Sequence, residues 1–71
     1  MAQTVPIERY VVQGVECYER FDLGILAAAV APLPRGRWVA RLYTGPEDYV
    51  REVHPTHAMA DNAAFDHARS L

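Results

Sequence analysis

The stretch GILAAAVAPL, Gly24 to Leu33, runs for ten residues without a charge, and its reading decides the fold. Alanine favours helix on propensity alone, but the run between Gly24 and Pro32 is too short for a helix that must hold itself together. The turn Pro32-Leu33-Pro34-Arg35-Gly36 leads into the alternating segment Arg37–Tyr43, RWVARLY, which needs a strand to pair with. Leu26–Ala31 is therefore read as a strand, hairpinned to RWVARLY. With Leu26 opposite Leu42, Ala28 opposite Ala40 and Val30 opposite Trp38, these six residues share one face and make a core centred on Trp38. A strand apolar at every position needs cover on both faces, and the chain offers one amphipathic helix. The run thus predicts a second sheet face that something else covers.

Upstream, residues 1–8 read as a loose lead-in, and Arg9–Phe21, RYVVQGVECYERF, as a strand rich in Val, Tyr and Phe with a bend or bulge at Gly14. Asp22-Leu23-Gly24 is a turn in which Gly24 takes positive φ. Downstream, Thr44-Gly45-Pro46-Glu47 turns the chain into a strand over Asp48–Val53. Pairing Tyr43 with Asp48 puts Tyr49 and Val53 in the core and Arg51 inward beside Ala40. Thr56 is the expected N-cap of a helix from His57 to about Ser70. At helical spacing Ala60, Ala63, Ala64, Ala68, His67 and Leu71 share one side. Asp61, Asn62, Asp66 and Arg69 take the other, with Phe65 among them as the misfit. The expected fold is α+β, one small domain over 1–71: a three- to four-stranded antiparallel meander with one C-terminal helix packed on one face.

Composition bounds the function. Seventy-one residues are near the lower size limit for folding without a metal, disulfide or partner. A hydrophobic share of 51% supports a core, and a net charge of −2 gives no general pull toward nucleic acid or anionic membrane. The seven basic residues are all arginine. Cys17 is the single cysteine, which excludes an internal disulfide and fits a reducing compartment. The opening MAQTVPIERY does not read as a secretory signal, and the apolar run falls well short of a membrane span. The expectation is a cytoplasmic protein without membrane attachment.

Three constellations are candidates for chemistry. The outer sheet face gathers Ala27, Ala29, Ala31, Val39, Tyr43 and Val50, interrupted by Arg37 and Arg41, with Phe65 as a further exposed apolar group. It is either half covered by the N-terminal segment or open as a contact surface for a second copy or another protein. His54 and His57 form H-x-x-H with Asp61 one helical turn beyond, donors that zinc or nickel accept. That spacing matches no strong motif, so no metal site and no cofactor is assigned; His67 reads as a packed, hydrogen-bonded histidine. Nucleophilic catalysis has only Cys17, mid-strand, and Ser70, at a fraying end, and no carboxylate pair serves acid–base work. The chain is not expected to be an enzyme.

Strands followed by Ala60-x-x-Ala63-Ala64 resemble the C-terminal half of a double-stranded RNA-binding domain. That family holds phosphates with a lysine cluster where this chain has Thr56-His57-Ala58-Met59-Ala60-Asp61, and its leading helix is missing here. Nucleic-acid binding then rests on a stripe of Arg35, Arg37, Arg41 and Arg51, offset by Glu47, Asp48 and Glu52. Gly14, the turn before Arg37-Trp38, and Thr56-x3-Ala60-x3-Ala64-x3-Ala68-Arg69 are similar to a pattern in small uncharacterised bacterial proteins, a resemblance that carries no activity.

Overall fold

The computed structural model describes residues 5–71. Five antiparallel strands form one sheet in sequence order: β1 Ile7–Val12, β2 Val15–Arg20, β3 Ile25–Pro32, β4 Trp38–Tyr43 and β5 Tyr49–His54. The helix α1, His57–Arg69, crosses one face. The α+β class and the helix are as expected, and the sheet has one strand more.

The additional strand comes from Gly14. Gln13 (φ 50°) and Gly14 (φ 79°) both occupy the left-handed region, the conformation of a two-residue turn whose twist matches that of the flanking strands. Arg9–Phe21 is therefore a hairpin closed by the Val12–Val15 pair rather than one bent strand. This also corrects the expected cover of the second face. Ile7–Val12 pairs edge-on as β1 instead of lying across the sheet, so the expected lead-in over residues 1–8 ends at the start of this strand, and its residues 1–4 lie outside the described residues.

The β3–β4 hairpin pairs Ala28 with Leu42, Val30 with Ala40 and Pro32 with Trp38, two residues from the expected register. The loop runs from Leu33 to Arg37, closed by the Leu33 N–H donating to the Arg37 carbonyl (2.8 Å). A slip of two preserves every side chain's face, so the expected core face survives. Trp38, however, sits half-buried at the strand end rather than at the core's centre, its ring edge-on to His57 (4.7 Å). At β4–β5 the slip is one residue, with Tyr43 opposite Tyr49, and a slip of one reverses the strand. The loop is held by the Thr44 N–H donating to the Asp48 carbonyl (2.8 Å), which keeps Asp48 out of the ladder. Arg51, Tyr49 and Val53 therefore share the outer face with Arg41, Tyr43 and Val39, and Val50 joins the helix side.

The core is built from small residues. Ala60 and Ala64 of α1 meet Ala28, Val30 and Ala40 of the sheet, all without exposed area, and Ala68 is buried one turn further along the helix. Tyr18 is the one aromatic ring fully buried among them, edge-on to Phe65 (5.1 Å). Phe65 thus packs on the helix side instead of adding to the outer face, and Asp61 also turns to the sheet, accepting from the Tyr18 hydroxyl. Thr56 caps the helix as expected, its hydroxyl accepting from the Met59 N–H (3.2 Å). Arg20, 7% exposed, ties the other end. Its guanidinium donates to the carbonyls of Ala68 (2.7 Å) and Leu71 (2.9 Å) and grips Asp22 through two further bonds (2.8 and 2.9 Å). A cation there satisfies C-terminal carbonyls that the helix leaves open and complements its dipole.

Two outcomes follow. Tyr18→Phe lowers unfolding free energy by about 1–2 kcal/mol through the lost hydrogen bond, and Tyr18→Ala by about 3–5 kcal/mol, read by urea titration. The hydrogen bonds from Arg20 hold the Asp22 carboxyl below the usual range, so the pair stabilises above that range and is lost as pH falls through the lowered value. Asp22→Asn therefore melts below the wild type at neutral pH, and the two melting curves converge as the pH falls through the lowered Asp22 value.

Candidate functional site

The helix-free face forms three rows across the strands. Val12 pairs with Val15, Ala31 with Val39, and Val39 with Val53; the Glu16–Val30 pair brings Val15 alongside Ala31, which completes an aliphatic row. The next row is Tyr10, Cys17, Ala29, Arg41 and Arg51. The third has Glu8 opposite Glu19 on one side of the sheet and Tyr43 opposite Tyr49 on the other. The face is thus acidic toward β1–β2 and basic toward β4–β5.

Of the residues expected to form a contact surface, Ala29 and Val39 are each 2% exposed and Ala31 8%. Ala27 is the unpaired extra residue where the β2–β3 register shifts, and has no exposed area. The accessible apolar surface is instead at the flanks, with Val12 51%, Val53 50%, Tyr49 42% and Tyr10 38% exposed. Arg37 is exposed in the loop before β4, and Arg41 and Tyr43 stay half-buried. Arg41 lies over the Tyr49 ring (5.7 Å to its centre), which itself rests on Tyr43 (5.3 Å). On the acidic side the Tyr10 hydroxyl donates to Glu19 (3.2 Å). The sequence signal for the missed half of this face was Val-Val-Gln-Gly-Val, valines flanking a turn pair.

The histidines take separate roles. His54 pairs with Glu52 (3.1 Å), His57 with Glu16 (2.5 Å), and the His67 ring donates to the Tyr43 carbonyl (2.7 Å). Asp61 belongs to Tyr18 and to Arg9 (3.1 Å). Among the described residues no three His, Cys, Asp or Glu side chains are grouped to hold a metal ion, and His54, His57 and Asp61 are not brought together. The Tyr18 hydroxyl, Asp61, Arg9, Glu16 and His57 make one chain of polar contacts between the β1–β2 hairpin and the start of α1. Burial, reinforced by the Asp61 carboxylate, raises the Tyr18 phenol above its ordinary range, so it remains a proton donor. These contacts fasten the helix to the hairpin. A cavity of about 350 Å³ at the sheet's end is lined mainly by Ile25, Leu26, Pro46 and Leu71, with Tyr43 and Thr44 beside them.

Comparison of the chain with protein-family models, curated proteins and solved structures finds no match. The small antiparallel sheet with its C-terminal helix is consistent with the resemblances of pattern noted above. Among the described residues no helix is long and apolar enough to cross a membrane.

Cys17 reports on the outer face. Burial raises its thiol pKa, which keeps it protonated at neutral pH and slows attack. Iodoacetamide at pH 7.5 therefore alkylates Cys17 at least tenfold more slowly in the folded protein than in urea; equal rates would place it in open solvent.

Proposed function

We propose that the protein is a non-enzymatic interaction module that associates with itself through the helix-free face of its sheet. The observation that carries this reading is the aliphatic row running across all five strands, with Val12 and Val53 about half exposed at its ends. The middle of the row, Ala31 and Val39, is buried, so its accessible apolar surface is at the two flanks, and apolar surface of that kind is what a contact would cover. Size points the same way. Among the described residues the interior holds only two large side chains without exposed area, Tyr18 and Val30, and a core of alanines leaves a 71-residue domain with little stability of its own. Association of folded copies adds to that stability by mass action.

The strand geometry bounds the affinity. Strands about 4.8 Å apart, with about six residues rising 3.3 Å each, make a face of roughly 24 by 20 Å, or about 480 Å² per copy. That is at the small end of specific interfaces, so the complex expected is a micromolar dimer.

A second reading, a nucleic-acid-binding module, is favoured by one observation: Arg41 and Arg51 are directly opposed on this face, beside Tyr43 and Tyr49. Arginines that meet phosphate next to rings that stack on bases are the ingredients of single-strand recognition. Glu8 and Glu19 on the same face oppose it.

Sedimentation of the wild type across 5–500 μM, a range spanning micromolar dissociation constants, separates the two. On the preferred reading the protein dimerises, and Val53→Glu, which buries a carboxylate in the contact, weakens the dimer at least tenfold with an unchanged melting curve. On the second reading the protein is a monomer throughout, and Arg41→Ala weakens a salt-sensitive complex with a single-stranded oligonucleotide.

A further inference from the structure

We infer that the second copy binds about a two-fold axis running parallel to β3, so that the acidic β1–β2 side of each protomer lies against the basic β4–β5 side of the other. The inference rests on the self-association reading and specifies its geometry. Two copies stacked face to face about an in-plane axis have two simple arrangements. With the axis across the strands, β1 lies over β1 and β5 over β5. Arg41 and Arg51 then meet their own counterparts, and the rows reverse, pressing Glu8 and Glu19 against the partner's valines. Both consequences are unfavourable, since like charges repel and an unpaired carboxylate loses its water.

With the axis along β3, the rows stay in step and the sides exchange. Val12 meets Val53 of the partner subunit, so that the two exposed ends of the aliphatic row cover each other, while Ala31 and Val39 between them are already buried within each protomer. Tyr10 faces Arg51 of the partner subunit. Glu8 and Glu19 come within one row of the partner's Arg41 and the partner's Arg51, a reach that a long arginine side chain spans. Two-fold symmetry makes each such contact twice.

Charge exchange tests this. One variant carries Glu8→Arg and Glu19→Arg, a second Arg41→Glu and Arg51→Glu, and a third all four substitutions. Far-ultraviolet dichroism and melting of each establish that the fold is retained. Analytical ultracentrifugation should find the first two variants at least tenfold weaker as dimers than the wild type. Their equimolar mixture should return to within about threefold of the wild type, as should the four-fold variant, because acid again faces base in both. If the wild type dimerises and Val53→Glu dissociates it, yet neither two-site variant is weakened, the axis is wrong and the self-association reading stands. A monomeric wild type overturns both, and an oligonucleotide complex lost in the Arg41→Glu, Arg51→Glu variant would assign the basic side to phosphate instead.

Discussion

Everything on the helix side depends on one ring placed under a stripe of small residues. Ala60 and Ala64 bring α1 down onto Ala28 and Ala40, and Tyr18 supplies the volume that alanines cannot. Alanine pairs alone would leave a close but thin interface, since each contributes little apolar area. The ring fills the interior, packs against Phe65, and carries its hydroxyl to Asp61. That bond decides the helix's rotation: it turns Asp61 toward the sheet although its neighbours Asn62 and Asp66 are exposed. Arg20 then settles the far end of the helix, and with both ends held α1 covers one face of the sheet only.

The open face is organised differently. Its apolar groups form a row across the strands, and its charges are sorted by strand, acidic on β1–β2 and basic on β4–β5. A meander produces such sorting because neighbours in sequence are neighbours in the sheet, so local bias in charge becomes a lateral gradient. The chain's small net charge of −2 hides it. Self-association through this face is the reading that uses both the row and the gradient, whereas single-strand binding uses only the basic half.

Several elements were legible in the residues. The uncharged run after Gly24 gives β3, Trp38–Tyr43 alternates as β4, and Thr56 starts the helix where its hydroxyl reaches the Met59 N–H. Faces survived in the β3–β4 hairpin because the register error was an even number of residues. They did not survive in β5, where Asp48 is held in the loop by the Thr44 N–H and the strand starts one residue later. The hairpin at Gln13-Gly14 was hidden because Gln is not the usual partner of Gly in such a turn. Missing it removed β1 from the sheet and half of the candidate face with it.

By itself the sequence determined what depends on nearest neighbours: which segments extend, where the helix caps, and that alanine spacing makes a close-packing helix face; its single cysteine likewise has no internal partner. Tertiary structure decided which way each strand faces, since side chains alternate with period two and a loop's hydrogen bonds choose odd or even. It also decided what the exceptions do. Phe65 and Asp61 read as surface residues by periodicity, yet Tyr18, more than forty positions away in the chain, draws both inward. A contact of that span leaves no trace in local pattern, and here it sets the helix that leaves the other face free.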